Sequence, residues 1–445
     1  MNWSVIFPGQ GYQKLRSELL AHAPEEAGAI LLCRRSGGRR LLVDTTMIAS
    51  TEDCRVQGPD RLEFDAPFLA RAVKRARDQD LSLILVHTHP FDDHPRFSRV
   101  DDHGESVVIP AIAGRAPTGP HGALVLGTAG FQGRLHTTGG VEAIDAVVEV
   151  GPRVIRYGPR RSAALDEIHD RNVRTFGAAG QQLLTEATVG IVGLGGTGSL
   201  VAEQLARLGV GALVLIDDDT LATTNLNRVA GAYSADVGRP KVEVAADHVA
   251  RITGGRTAVT PIKGSVLDRT VGQALLDCDF VMNCTDTHGS RAVINQLAYQ
   301  HWLPAIDMGV RIDAVDGQVS AMAGRVQMLA PGLACLQCDA LLDPEAVRRD
   351  LMTEAERRAD PYIVGEASPQ PSVISLNGTV SSLAVTTFLA ATVGLPIRAR
   401  RMNYRVAEGA LRAVSADPNP DCIVCSASRG AYGQGDRWPM FWRQT

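Results

Sequence analysis

The sequence VGIVGLGGTGS at residues 189–199 decides the fold of the larger part of the chain. An apolar run, a glycine-rich turn and the start of a helix follow one another here, and glycines allow the backbone to approach phosphate groups closely. The next apolar run ends at Asp217, where a carboxylate could bind a ribose hydroxyl. Dehydrogenases show similar glycines, so the residues further along the chain must separate the two classes.

Strand-like and helical stretches alternate on both sides of this turn, which predicts a parallel, doubly wound sheet. The predicted strands are 188–192, 212–217, 280–283 and 304–307, and the predicted helices start at 199, near 241 and at 291. Upstream, strand-like runs at 29–33 and 81–86 flank a helix at 66–78. We therefore expect an α/β protein with domains at 1–150 and 166–426, a Gly/Arg/Pro-rich linker at 151–165 and a tail at 427–445.

Composition excludes several classes of protein. The chain has 445 residues and a net charge of −4, so it offers no general basic surface for nucleic acid. Its start lacks the pattern of a signal peptide. The uncharged stretch 367–397 is interleaved with polar residues, and its apolar residues keep helical spacing, which predicts a buried helix rather than a membrane span. We expect a cytoplasmic protein with neither nucleic acid nor membrane as a partner.

A set of charged and amide residues follows the glycine turn in a fixed order. Asn225 and Arg228 are followed by Lys241, one of only four lysines, and then by Asp286 after the next predicted strand. A dehydrogenase does not need this set. It resembles that of the ubiquitin-activating and sulfur-carrier-activating (ThiF/MoeB-type) adenylyltransferases, and the resemblance covers residues 166–425. It implies a Rossmann-like adenylation domain that uses ATP and Mg²⁺.

The resemblance also implies individual roles. The ATP site would be shaped by Gly193, Gly195, Gly196 and Gly198, the ribose held by Asp217, the phosphates contacted by Asn225, Arg228 and Lys241, and Mg²⁺ bound by Asp286. Arg174 matches an arginine that reaches the ATP of the other protomer, which implies a homodimer. The reaction requires a carboxylate to attack the α-phosphorus and expel pyrophosphate, and the cationic side chains neutralise the charge that develops.

A pair of histidines ends the second strand-like run of the upstream segment. His87 and His89 point to the same face of a strand, because side chains repeat every two residues. Ser98 and Asp101 follow three residues apart, the spacing of one helical turn. Two imidazoles, one carboxylate and a water molecule would form an open tetrahedral zinc site of the catalytic type.

This pattern resembles that of the JAMM (JAB/MPN) metallopeptidases, over about the first 150 residues. The resemblance implies that His87, His89 and Asp101 bind catalytic zinc and that Ser98 holds the polarised carbonyl. An upstream glutamate would take the proton of the zinc-bound water; we favour Glu26 over Glu25. Eleven residues separate His89 from Asp101, where the family has ten, and the loop at 92–95 would absorb the extra one.

Two C-x-x-C pairs lie in the second segment. Two such thiolate pairs can form a closed tetrahedral zinc site, here from Cys335, Cys338, Cys422 and Cys425. In the activating-enzyme family, two cysteine pairs at the matching positions bind one structural zinc. Many members also carry a catalytic cysteine beyond the first pair, but residues 339–421 contain none. Cys284, beside Asp286, is a poor candidate for that role.

The expected function combines both resemblances. One domain would adenylate the C-terminal carboxylate of a ubiquitin-like protein that ends in glycine, and the other would process or remove that protein by zinc-dependent cleavage. A cysteine-bearing conjugating enzyme is a further expected partner in such a bacterial conjugation system. Two alternatives stay open: sulfur-carrier activation for cofactor biosynthesis, and a non-catalytic scaffold that binds a ubiquitin-like tail.

Overall fold

A computed structural model describes residues 3–159, 166–360 and 371–443. The chain divides into two compact units, one of Met1–Arg160 with Gly433–Trp438 and one of Arg161–Tyr432 with Pro439–Thr445. Each unit combines one large sheet with helices, so the predicted α/β class is confirmed.

The first unit contains ten strands and three helices among its described residues. The strands are β1 (Trp3–Pro8), β2 (Gly28–Ser36), β3 (Arg40–Ile48), β4 (Cys54–Gly58), β5 (Arg61–Phe64), β6 (Ser82–Thr88), β7 (His121–Leu126), β8 (Phe131–Thr137), β9 (Gly140–Val150) and β10 (Val154–Tyr157). The helices are α1 (Gly11–Leu20), α2 (Ala66–Asp78) and α3 (Arg99–Ala113).

The main sheet of the first unit has the order β1-β3-β2-β6-β7-β8-β9-β10, and β1 also pairs with β9. These pairings form a closed circuit, while β4 and β5 form a separate hairpin. Strand β2 is buried on both faces, which explains its continuous apolar run. Leu31 and Cys33 belong to one core cluster, and Ile30 and Leu32 belong to a second one.

The second unit has a sheet of eight strands with helices. Its strands are β11 (Thr188–Val192), β12 (Ala212–Asp217), β13 (Ala258–Lys263), β14 (Phe280–Asn283), β15 (Ala305–Val315), β16 (Gln318–Leu329), β17 (Arg401–Arg405) and β18 (Ala410–Ala413). Its α-helices are α4 (Asp170–Glu186, kinked at Phe176 and Gly177), α5 (Gly196–Arg207), α6 (Lys241–Thr253), α7 (Arg269–Gln273), α8 (His288–Gln300), α9 (Pro344–Leu351), α10 (Glu354–Ala359) and α11 (Ile374–Thr392).

The strand order of the second sheet locates a binding crevice. Strands β13-β12-β11-β14-β15 are parallel, and β16, β17 and β18 continue the sheet with antiparallel pairing. The chain leaves β11 toward β12 on one side and returns to β14 on the other. In doubly wound sheets a ligand binds where the strand order reverses, at the carboxyl ends of the strands. Here that position lies beyond Val192 and Asn283.

The structure differs from the expected organisation at two places. Strand β10 pairs with β9 inside the stretch predicted as a linker, so the ordered first unit extends beyond residue 150. Residues 160–165 of that stretch lie outside the described residues. The predicted tail at 427–445 is shared, because Gly433–Trp438 belongs to the first unit and Pro439–Thr445 to the second.

Helix α11 is the charge-free helix noted in the sequence. By length and composition it could cross a membrane, yet 56 % of its most apolar 18-residue stretch is buried inside the protein. It packs against α5 and against strands β15 and β16. This matches the expected buried helix.

One glycine of the turn is required by a close backbone approach. A Cβ atom at Gly198 would lie 1.8 Å from the carbonyl oxygen of Gly193, which itself has φ +86°. Gly378, in α11 of the same unit, has open space, since the nearest atom would lie 4.0 Å away. The two positions therefore form a matched pair for substitution by alanine.

We expect Gly198→Ala to lower the free energy of unfolding by about 1–3 kcal/mol through overpacking. Gly378→Ala should be neutral or stabilise by up to about 1 kcal/mol, the helix-propensity difference. Differential scanning calorimetry of both variants measures this. Equal unfolding temperatures for the two variants would contradict the close approach.

Candidate functional sites

The histidine pair and Asp101 come together in the first unit. His87 lies in β6 and His89 directly follows it, and their Nε2 atoms are 3.3 Å apart. Asp101 Oδ1 lies 3.2 Å from His87 Nε2, and Asp101 Oδ2 lies 3.6 Å from His89 Nε2. Ligands of a tetrahedral zinc ion at about 2.0–2.1 Å are separated by about 3.3 Å. The three side chains therefore fit zinc and leave room for a fourth ligand.

Glu26 is the glutamate that reaches this cluster. Its carboxylate is buried, with Oε1 at 3.7 Å from His89 Nε2, whereas Glu25 is exposed. The Glu26 backbone is held by the β4–β5 hairpin, because its N–H donates to Gly58 and its carbonyl accepts from Gln57 Nε2. Burial raises the pKa of Glu26 to about 7, although both histidines oppose this shift. A carboxylate with this pKa is suited to accepting and returning a proton near neutral pH.

Local hydrogen bonds fix these ligands. Thr88 is buried and exchanges backbone and side-chain hydrogen bonds with Ala27, which ties the end of β6 to the residue after Glu26. Ser98 caps α3: its Oγ accepts from the N–H of Asp101, and Asp101 Oδ2 accepts from the N–H of Ser98. Helix capping thus orients the carboxylate that faces the histidines.

The electrostatics of the cluster keep Asp101 ionised. Burial alone would raise the pKa of Asp101, but hydrogen bonds with His87 and His89 hold it well below its usual range. The same hydrogen bond to Asp101 raises the pKa of His89. A cation would replace the proton that the imidazoles share with the carboxylate.

The glycine turn of the second unit follows β11 and contacts the ends of β12 and β14. The N–H of Gly193 donates to Ile216 at 2.8 Å, and a Cβ at Gly193 would lie 3.0 Å from the carbonyl oxygen of Cys284. Gly195 is the residue before α5. The turn therefore presents the start of α5 at the carboxyl edge of the sheet, where a helix N-terminus favours phosphate.

Asp217 and Lys241 form the charged part of this edge. Asp217 is buried and accepts from the N–H groups of Leu194 at 2.6 Å and Asp219 at 2.9 Å. Lys241 Nζ lies 2.6 Å from Asp219 Oδ2 and 4.0 Å from Asp217 Oδ1. Burial raises the pKa of Asp217, and Lys241 opposes this shift. The structure thus joins the predicted ribose ligand to the predicted phosphate ligand.

The other predicted nucleotide residues occupy the surrounding loops. Asn225 accepts from the N–H of Ala222, and Arg228 donates to the carbonyl of Thr224. A Cβ at Gly196 would lie 3.3 Å from Arg228 Cδ, so this arginine reaches the start of α5. Asp286 is exposed in the loop after β14. Among the described residues, its carboxylate makes no hydrogen bond or ion pair with another predicted residue of the nucleotide site.

Arg174 stands apart from this set. It lies in α4, its side chain is 74 % exposed, and it pairs with Asp170 at 2.8 Å. It is therefore free to meet another molecule, as a residue acting across a dimer requires.

The four cysteines of the paired motifs form one cluster. The Sγ atom of Cys335 lies 3.6 Å from those of Cys338 and Cys422, and Cys338 Sγ lies 3.4 Å from Cys425 Sγ. Tetrahedral zinc with Zn–S bonds of about 2.3 Å separates its sulfurs by about 3.8 Å. The N–H of Asn419 points at Cys338 and that of Val424 at Cys422, as is typical around a bound thiolate. The cluster fits a closed structural zinc site.

The comparisons with known proteins agree with this geometry. Residues 169–424, more than half of the chain, match the ThiF family. The chain belongs to the ThiF family. Residues 8–129 match prokaryotic homologues of the JAB domain. We call the two parts the JAB unit and the ThiF unit.

Three curated relatives match the ThiF unit. The molybdopterin-synthase adenylyltransferase of Salmonella typhimurium is 30 % identical over 253 residues, covering 57 % of this chain and 92 % of that protein. The protein of the same name from Escherichia coli is 29 % identical, with the same coverage. The SAMP-activating enzyme E1 of Haloferax volcanii is 28 % identical and covers 56 % of this chain and 84 % of that protein. The resemblance stated from the sequence is confirmed for both units.

Sequence reasoning missed a buried ionic cluster in the ThiF unit. Asp307 is fully buried and faces Arg325 and Arg291. These residues lie 16 to 34 positions apart in the chain; the pairing of β15 with β16 brings Arg325 to Asp307, and the packing of α8 on β15 brings Arg291. The one available signal was a charge inside the apolar run that begins β15.

We expect the purified chain to carry two zinc ions that differ in lability. Dialysis against a chelator should remove the ion at the open histidine site and leave the one at the buried cysteine cluster. Asp101→Asn should lose only the labile ion, and Cys425→Ser only the tight one, as measured by elemental analysis. Cys54→Ser serves as the control and should keep both. A wild-type chain without tightly held zinc would contradict the cysteine site.

The raised pKa of Glu26 predicts a pH-dependent stability. In chelator-treated protein, burial of the charged Glu26 carboxylate costs an increasing amount of free energy as the pH rises from the ordinary pKa of a glutamate through about 7. Glu26→Gln should therefore gain unfolding temperature over the wild type between pH 5 and pH 8. The exposed Glu25→Gln variant should show no such trend. A pH-independent difference for Glu26→Gln would contradict the buried, proton-sharing carboxylate.

Proposed function

We propose that this chain activates a ubiquitin-like protein and also cuts it. The ThiF unit adenylates the C-terminal carboxylate of that protein with ATP and Mg²⁺. The JAB unit cleaves the bond after its terminal glycine, either to mature a precursor or to reverse a conjugate, in a bacterial ubiquitin-like conjugation system.

The observation that carries this proposal is the pairing of two complementary sites in one chain. The His87, His89 and Asp101 cluster with Glu26 is suited to hydrolysis that leaves a free carboxylate. The glycine turn with Asp217, Arg228 and Lys241 is suited to nucleotide chemistry that consumes one. The first site would produce the free carboxylate that the second site uses.

Cleavage in the JAB unit would rely on the position of Glu26. Zinc held by His87, His89 and Asp101 would supply a water of lowered pKa. Glu26, whose carboxylate lies beside His89, would accept a proton from the attacking water and return it to the departing amine. Ser98, at the start of α3, would hold the substrate carbonyl.

Adenylation in the ThiF unit would rely on charge placement. The start of α5 and the glycine turn receive the phosphates, and Asp217 receives the ribose. Lys241 and Arg228 neutralise negative charge that develops as the carboxylate attacks the α-phosphorus and pyrophosphate leaves. Asp286 would hold Mg²⁺ at the end of β14.

The transfer step after adenylation is proposed to use another protein. Cys284 is unsuited to it, because burial raises the pKa of its thiol well above its usual range. A cysteine-bearing conjugating enzyme would then receive the acyl group. Sulfur-carrier activation is the second candidate, favoured by relatives named for molybdopterin synthase and for the sulfur carrier ThiS. Detection of a thiocarboxylate product would identify it.

The two activities should be separable by mutation. With a ubiquitin-fold protein ending in Gly-Gly and a blocking C-terminal extension, Glu26→Gln should reduce cleavage by about 10²–10⁴-fold. The same variant should keep ATP–pyrophosphate exchange on the trimmed protein, since its ATP residues are intact. Asp286→Ala should do the reverse.

The matched control for the cleavage arm is Glu25→Gln, whose carboxylate is exposed. Cleavage that depends on Glu25 and not on Glu26 would reassign the base. Activation of the blocked precursor by Glu26→Gln at the wild-type rate would overturn the order of processing before activation.

A shared adenylation site across a homodimer predicts complementation. Arg174→Ala and Asp286→Ala chains should each lack pyrophosphate exchange, and a mixture should recover part of it through hybrid sites. Co-expression with two affinity tags isolates the mixed species. An isolated mixed dimer without exchange would contradict the role of Arg174 in the partner's site.

A further inference from the structure

The cluster around Asp307 holds more positive than negative charge. Asp307 Oδ2 lies 2.5 Å from Arg325 Nη2, and its Oδ1 lies 3.5 Å from Arg291 Nε. Within the described ranges, Asp307 is the sole carboxylate within ion-pair distance of either arginine. Oδ1 also accepts from Asn283 Nδ2 at 2.8 Å. Two guanidinium groups therefore share one carboxylate.

Among residues 3–159, 166–360 and 371–443, no further carboxylate neutralises the surplus positive charge. Arg325 Nη1 donates to the neutral amide of Gln327 at 3.2 Å. Asp339, the next acidic residue along this chain of contacts, is already paired with Arg401 and accepts from Gln327 Nε2. A surplus charge that is largely buried costs free energy unless an anion binds to it.

Arg291 is the arginine left open to such an anion. Among the residues that the structure describes, its guanidinium makes no hydrogen bond, and its Nε is buried. Its side chain is 17 % exposed, so solvent still reaches the guanidinium. A Cβ at Gly309 would lie 2.8 Å from Arg291 Nη2, so the absence of a side chain at Gly309 gives the guanidinium its space.

The cluster lies on the same sheet edge as the nucleotide turn. Asn283 and Asp307 are paired across β14 and β15, and Cys284, the next residue, contacts Gly193. Strand β15 is two steps from β11, which corresponds to about 10 Å at the usual strand spacing. Arg291, which faces Asp307, therefore lies at the same end of the sheet as the turn proposed to receive the phosphates.

From this geometry we propose that Arg291, with Arg325, binds the carboxylate of the substrate's C-terminal glycine before it is adenylated. A planar guanidinium fork suits a carboxylate through two parallel hydrogen bonds. Asp307 holds both arginines and leaves one positive charge for the ligand. The inference rests on the proposed adenylation function and names the residues that recognise its nucleophile.

The test uses the full-length chain and small probes. N-acetyl-glycylglycine, with a free carboxylate, and its C-terminal amide are titrated at matched ionic strength, and the shift in unfolding temperature is recorded. We expect the free carboxylate to stabilise the wild type and the amide to have no effect. Arg291→Gln should lose the shift, while Arg311→Gln, an exposed arginine of the same strand β15, should keep it.

Calorimetric titration of Mg·ATP into the same variants separates the possible anions. Arg291→Gln should keep the wild-type affinity for ATP within about twofold, a difference well under 1 kcal/mol in binding. An equal stabilisation by the amide, or by carboxylate in Arg291→Gln, overturns the proposal. A loss of ATP affinity in Arg291→Gln also overturns it and assigns the arginine to the nucleotide phosphates. Absence of ATP binding in the wild type would instead contradict the adenylation function.

Discussion

Parallel pairing of β11 with β12 on one side and with β14 on the other is the constraint on which the ThiF unit depends. It brings three strand ends to one edge, so that the glycine turn, Asp217 and the loop before Asp286 lie together. The turn can pass only because Gly198 has no side chain against the carbonyl of Gly193. Asp217 ends one of these strands, and Arg228, Lys241 and Asp286 lie in the loops and helix that follow the strand ends, whereas Arg174 lies in α4, before β11.

In the JAB unit, an antiparallel strand pair brings the site residues together. Antiparallel pairing of β2 with β6 sets Gly28 opposite His87. Glu26, two residues before Gly28, therefore lies beside His89, which directly follows β6. The β4–β5 hairpin holds the backbone of Glu26, and the carboxylate of Glu26 is buried. The proton affinity of that carboxylate is thus a product of burial, and its partners are supplied by a strand end and a capped helix.

Much of this was predictable from local pattern. The helix expected at 66–78 is α2 with the same ends, and the runs at 188–192 and 280–283 are strands with the same ends, because apolar periodicity and flanking turns are local properties. Strand β10 was missed because it is only four residues long, is flanked by glycine, proline and arginine, and depends on pairing with β9. The resemblance in sequence already favoured Glu26 over Glu25, but the burial of Glu26 and the Asp307 cluster depend on the packing of elements distant in the chain, which no short stretch of sequence contains.

A metal at the cysteine cluster would also constrain the unfolded chain. Cys335 and Cys422 are 87 residues apart, and the segment between them includes α11, which packs on α5. A metal that stayed bound to all four thiolates would close this segment into a loop, as a disulfide does, and a cross-link of that length removes about 4–5 kcal/mol of chain entropy from the unfolded state. Loop-closure entropy grows only with the logarithm of length. Insertions in the connections between the helices and strands of this segment would therefore add little closure entropy, whereas α11 and β17, which pack in the ThiF unit, must keep their length.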